Sequence, residues 1–180
     1  MSDGNSIVAF YSGAAPDDRD RYLSELQTWS DDALESYHDF IQWMFPLRER
    51  SGVNPSAPTL DDATIKEFRS RPELREQLRV SFRRMLRFYG FEMKPQSLKV
   101  VKRADFQENS DNWLSPWNHN YLRITRILKS LSLLGLEEEA GAFFAALYEV
   151  YHSQGANPTI SKETFRYWEA TVSRVKSAGQ

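Results

Sequence analysis

The stretch HNYLRITRILKSLSLL, residues 119–134, constrains this chain more than any other. At 100° per residue, Tyr121, Ile124, Ile127, Leu128, Leu131 and Leu134 fall on one side of a helix. His119, Arg123, Arg126 and Ser130 fall nearly opposite, in a narrow polar stripe. An apolar face of that width must be buried against other elements, so the rest of the chain has to supply them. It does so with more helices. The stretch 23–29 is expected as a short helix, and Ser30 as the cap of a second that runs to Phe45 and ends at Pro46. Thr59 is expected to cap a third, Pro72 to open a fourth that ends before Gly90, and Ser115 with Pro116 to open the fifth. A sixth runs from Leu136 to about His152, and Ser161 caps a seventh through about Lys176. Residues 91–114 show no sustained period and are expected as one long ordered loop, with a turn or short strand near LKVVK. The expected fold is all-α: one domain of about seven helices over residues 1–180, with about eight N-terminal and five C-terminal residues frayed.

Composition narrows the function classes. Hydrophobic residues make up 41% of the chain, enough for a sizeable core at this length. No cysteine is present, which excludes disulfides, thiolate nucleophiles and cysteine-based zinc sites. Neither a signal peptide nor an apolar run of membrane-spanning length stands out, so a soluble, cytoplasmic protein is expected. The net charge of −2 hides a strong asymmetry. Residues 1–39 hold nine acids against two basic residues, whereas residues 66–103 hold twelve basic residues against four acids.

Three groups of side chains could form a site. In the second expected helix, His38 and Gln42 pair at i,i+4 on the flank of the core face, and Asp39 and Trp43 pair on the side away from it. They could line a pocket, or they could satisfy backbone groups where helix meets loop. In the fifth, His119, Arg123 and Arg126 begin at a helix N-terminus, where an anion could be held; a solvated, ion-paired face is the alternative. In the fourth, Arg71, Arg75, Arg79, Arg83 and Arg87 recur every fourth residue with Arg84 beside them. That basic ridge could follow a phosphate backbone, or pair within the chain. No phosphate-cradling glycine loop, His-Glu-x-x-His motif or nucleophile elbow occurs, and the three histidines lie on three expected helices. Neither an enzyme nor a metal site or cofactor is therefore expected.

Two longer strings carry a family resemblance: HDFIQWMFPLRERSGVNPSAP (residues 38–58) and NHNYLRITRILKSLSLLGLE (residues 118–137). Together with FYSGAAPDDRDRYLSELQTWSDDALESYHD and RMLRFYGFEM, they resemble the conserved N-terminal domain of the opioid growth factor receptor family. The resemblance covers most of the chain, and short relatives, including bacterial ones, consist of little beyond this domain. It implies a receptor-like binding module for a peptide or protein segment, an enkephalin-like pentapeptide among the candidates. It also allows association with a membrane or the nuclear envelope, and it supplies no catalytic residues. On this reading His119, Arg123 and Arg126 would hold an acidic group and Asp39 an amine, with His38 and Gln42 beside them. Trp43, Trp113 and Trp117 would supply aromatic contact. The alternative is an accessory protein docking nucleic acid through the Arg71 to Arg87 ridge.

Overall fold

A computed structural model describes residues 3–94, 96–155 and 159–177. Their contacts divide the chain into two compact units where the sequence suggests one domain: Met1–Arg84 with Leu133–Gly135, and Met85–Ser132 with Leu136–Gln180. The last three residues, part of the C-terminal stretch expected to fray, lie outside the described residues.

In the first unit, α1 (Asp3–Tyr11) occupies the segment expected to fray, with Ile7, Phe10 and Tyr11 buried. It packs on α5 (Asp62–Ser70), where the Tyr11 ring meets Phe68 edge to face. Between them lie three short helices, α2 (Leu23–Leu26), α3 (Asp31–Ser36) and α4 (Ile41–Met44). Asp61, not Thr59, caps α5: its carboxylate accepts from the Thr64 backbone N–H at 2.7 Å and from the Thr64 hydroxyl at 2.6 Å.

The expected helix from Ser30 to Phe45 is in fact two, α3 and α4, separated by residues 37–40. Ser30 caps the first as expected, accepting from Ala33 N. The break has a physical cause. Tyr, His, Asp and Phe are mediocre helix formers, and tertiary contacts decide their conformation. Tyr37 and Phe40 both turn onto Trp29, with ring centroids at 5.1 and 5.6 Å, while Asp39 reaches two arginines. No continuous helix could satisfy both directions.

The helix α6 (Pro72–Phe88) opens at the expected proline. It buries Leu74, Leu78, Phe82 and Met85 at near four-residue spacing and turns its arginines outward. The boundary between the units falls inside it, after Arg84.

In the second unit, Gly90 (φ +81°) ends that helix; a β-carbon there would lie 3.0 Å from the Phe106 Cα, so only glycine fits. The expected loop 91–114 contains regular structure, which corrects the all-α assignment to a helix-dominated one. Strands β1 (Phe91–Met93) and β2 (Val100–Lys102) pair antiparallel, Phe91 against Lys102 and Met93 against Val100, and α7 (Phe106–Ser110) follows. Three residues per strand are too few for alternation to show in the sequence. The helices α8 (Asn120–Leu133), α9 (Glu137–Ser153) and α10 (Lys162–Ser177) complete the unit. Here α9 packs on β2 and on α10. Ser161 caps α10 as expected. The core gathers Tyr89, Phe91, Trp113, Ile124, Leu128, Phe143, Leu147 and Trp168, all 0% exposed. Among the described residues no helix is long and apolar enough to cross a membrane.

Candidate functional site

The polar residues around Pro46 are bound up with one another inside the first unit. The Asp39 carboxylate meets Arg21 Nη1 at 2.9 Å and Arg19 Nε at 3.3 Å. Arg21 also pairs with the buried Asp17 at 2.7 Å and lies 5.4 Å from the Trp29 ring centroid. Trp43 is buried and donates its indole N–H to Asp18 at 3.0 Å. Gln42, with its amide oriented to satisfy both ends, donates to the backbone carbonyls of His38 (3.3 Å) and Asp39 (3.1 Å) and accepts from Ser51. Asn54 donates to the same Asp39 carbonyl at 3.0 Å. These amides satisfy backbone groups exposed by the break between α3 and α4. His38 is exposed and lies in the break, so its i,i+4 relation to Gln42 is not a helical one.

The basic ridge is likewise engaged within its unit. Arg71 pairs with Glu67 and Glu73 at 2.6 and 2.7 Å, and Arg79 and Arg83 both pair with Glu76. Arg75 donates to the Phe68 and Arg69 carbonyls. Arg84 donates twice to the Trp29 carbonyl and pairs with Asp31 at 2.5 Å. Arg87, which belongs to the second unit, is exposed in the last turn of α6.

The other candidates lie in the second unit and do not share one surface. Trp113 is fully buried and donates to the Tyr89 carbonyl at 3.1 Å. Arg123 is 5% exposed, with Nη1 3.3 Å from Asn120 Oδ1, and Ser130 is buried too; the stripe expected to be polar surface is therefore interior at those positions. Arg126 is half-buried, and His119 is exposed just before the helix. The helix starts five residues later than Ser115 as cap implies, because Asn118 takes the capping role. Its Oδ1 accepts from Asn120 N at 2.9 Å, while its Nδ2 donates to the Asn112 carbonyl and the Ser115 hydroxyl.

That turn holds Trp117 in an unusual state. Its φ of +62° lies in the left-handed region, and its side chain is 98% exposed. A bulky residue in that region is strained by roughly 1–2 kcal/mol, and here the ring recovers nothing through packing. Trp117 forms one end of a groove of about 650 Å³ within this unit. On one wall Tyr121, Thr125 and Lys129 succeed each other at four-residue spacing along α8, with Leu122 beside them, 76% exposed. On the other stand Glu163, Thr164 and Tyr167 of α10, the last 61% exposed. Trp168 fixes the two helices beneath: its indole donates to Thr125 Oγ1 at 3.0 Å, and its ring meets Tyr121 at 71°.

Two hydroxyls at this groove, Tyr121 Oη and Thr159 Oγ1, are buried without a well-formed hydrogen bond. Burial raises the Tyr121 phenol pKa, and the adjacent Thr159 hydroxyl offsets part of that. Of the residues expected to form a site, Trp117 alone lines this groove. Sequence reasoning missed Leu122, Thr159 and Tyr167. For Leu122 a signal existed, since it is a large apolar residue on the polar side of its helix. Among the described residues no cluster of three His, Cys, Asp or Glu could hold a metal ion.

Comparison with known proteins bears on this geometry. The family described as "Opioid growth factor receptor (OGFr) conserved region" matches residues 5–178. The opioid growth factor receptor of Rattus norvegicus is 41% identical over 146 residues, covering 79% of this chain and 25% of the receptor. That of Homo sapiens is 46% identical over 115 residues, covering 62% of this chain and 17% of the receptor. The opioid growth factor receptor-like protein 1 of Mus musculus is 33% identical over 171 residues, covering 93% of this chain and 36% of that protein. The chain thus spans little more than a third of these relatives at most. No solved structure matches it significantly. The chain belongs to the opioid growth factor receptor family.

Proposed function

We propose that this chain is a binding module that captures a peptide or protein segment in the groove between α8 and α10. The observation that carries the reading is Trp117, strained in its backbone and 98% exposed at the mouth of that groove. Folding alone gives no reason to hold a tryptophan this way; a ligand that buries the ring does. Leu122 and Tyr167 extend the same exposed apolar surface, and aromatic side chains dominate the energetics of such contacts. That the relatives are named receptors supports a ligand-capturing role. The reading assigns no catalysis, and it moves the binding role away from Asp39 and Arg123, which are engaged in or buried within their own units.

The test is a random-peptide display selection on the folded protein, with each enriched peptide, and an enkephalin-like pentapeptide, then titrated against Trp117→Ala. Peptides that bind the native chain and lose about tenfold or more in affinity on the variant are expected, since an aromatic anchor contributes on that scale. If every enriched peptide binds both proteins equally, or none is enriched, the groove is not a peptide site.

A further inference from the structure

We infer that the occupant of this groove is an extended, proline-containing segment with an acidic residue beside its prolines. The inference rests on the groove being the binding site proposed above, and it follows from three features of the walls.

The first is an excess of hydrogen-bond donors. Tyr121 Oη and Thr159 Oγ1 are buried without partners, Tyr121 itself being 94% buried, and the exposed Trp117 brings an indole N–H that can only donate. A docked α-helix would leave the hydroxyls orphaned, because its carbonyls are bonded internally. An added β-strand needs an open strand edge, and these walls are helices whose backbone groups are already paired. An extended polyproline-type segment has no internal hydrogen bonds and turns its carbonyls outward. Its prolines also carry no N–H that would demand an acceptor from the groove.

The second feature is the pair of aromatic rings, Trp117 and Tyr167, with Pro116 between the turn and the wall. Flat aromatic plates are the surfaces on which proline rings pack in such grooves. The third is charge. Lys129 stands on the α8 wall, and a second depression of about 600 Å³, sharing Glu163 and Tyr167 with the groove, is lined by Lys162 and Arg166. Three basic side chains against Glu163 give the rim a net +2. Lys162 and Arg166 form no ion pair among the described residues, so an acidic residue of the partner has cations to meet. A lipid surface fits less well. Membranes take a convex apolar protrusion, whereas here the unpaired hydroxyls lie in a concavity.

The test follows the Trp117 indole N–H resonance, assigned with Trp117→Phe, in the full-length ¹⁵N-labelled chain. Three blocked probes are titrated: an oligoproline flanked by glutamates, the same peptide with every proline replaced by alanine, and the oligoproline flanked by lysines. Saturable shifts with the first, and affinities about tenfold weaker for the other two, are expected for stacked, charge-matched recognition. Tyr121→Phe, which keeps the ring, should weaken the first probe about fivefold, the size of one lost hydrogen bond. Lys162→Glu with Arg166→Glu, both exposed, should weaken it and erase the preference for glutamate over lysine. Equal binding of the alanine probe overturns the inference, and so does a Trp117 response to anionic phosphatidylserine vesicles without one to the proline probe. Display-selected peptides that need Trp117 yet contain no proline would sink this inference and leave the binding role standing. Loss of both responses would remove both.

Discussion

Replacing Trp117 by glycine should stabilise the protein while abolishing what the groove captures. The side chain is 98% exposed, so truncating it forfeits almost no packing. The backbone at φ +62° is strained by roughly 1–2 kcal/mol for any residue with a β-carbon, and glycine removes that strain. Against this stands the greater freedom of glycine in the unfolded chain, about 0.5–1 kcal/mol. The balance is a gain of roughly 0.5–1 kcal/mol, or about 2 °C in Tm for a chain of this size. Alanine keeps the β-carbon, so Trp117→Ala should stay within about 0.5 kcal/mol of the native protein.

Differential scanning calorimetry and guanidinium unfolding of native, Trp117→Ala and Trp117→Gly proteins read the effect, with Trp117→Asn as a fourth arm because asparagine tolerates the left-handed region. The order Gly above Ala, with Asn between or equal to Gly, is expected. A loss of more than about 1 kcal/mol in either the Ala or the Gly variant would refute the reasoning, because surface truncations without packing do not cost that much. It would mean that the indole is packed in solution, and the argument from an unrewarded strain would fall with it. Stability gained at the expense of binding is the common signature of a residue kept for function.

Thr125→Val should destabilise by about 1–3 kcal/mol, since it leaves the fully buried Trp168 indole N–H without its acceptor; urea unfolding followed by tryptophan fluorescence measures it. Gly90→Ala should cost about 2–4 kcal/mol, adding a left-handed β-carbon to a 3.0 Å approach to the Phe106 backbone, and a fall in Tm of several degrees checks it. For Asp61, its hydrogen bonds from the Thr64 hydroxyl and backbone hold the carboxyl below the ordinary aspartate range. Its cap therefore contributes fully above the unfolded-state pKa and is lost as pH falls through the lower folded value; a carboxyl-carbon NMR titration of Asp61 with an ordinary or raised midpoint would contradict this.

Much of the fold was legible because punctuation and period agreed. Pro72, Gly90, Ser161 and the apolar face from Tyr121 to Leu131 stand where pattern reasoning puts them. What was not legible was set by contacts between distant residues. The break at 37–40 follows from Trp29 and from Arg19 and Arg21, none of which is near in sequence, and the hairpin at 91–102 is too short to show alternation. The candidate site failed to show for a related reason. Helical spacing separates one face of a helix from another, but it does not say which faces are covered. Arg123 and Ser130 fall on the polar stripe and are buried, whereas Leu122 falls there too and is exposed.

The two long family strings therefore do different physical work. In residues 38–58, the polar side chains are spent inside the first unit: Asp39 on Arg19 and Arg21, Trp43 on Asp18, Gln42 and Asn54 on the carbonyls of a broken helix. Each of these groups would be costly to leave unpaired, which is sufficient reason for the residue types found there. In residues 118–137, and in the turn just before them, polar groups do the opposite. Asn118 uses its whole amide to hold a turn whose product is an outward, strained Trp117, and Tyr121 is left with a buried hydroxyl that the fold does not satisfy. A closed network explains itself by stability, whereas an open one needs something outside the chain. On that ground the second string, and not the histidine-rich approach to Pro46, is where this domain meets its ligand.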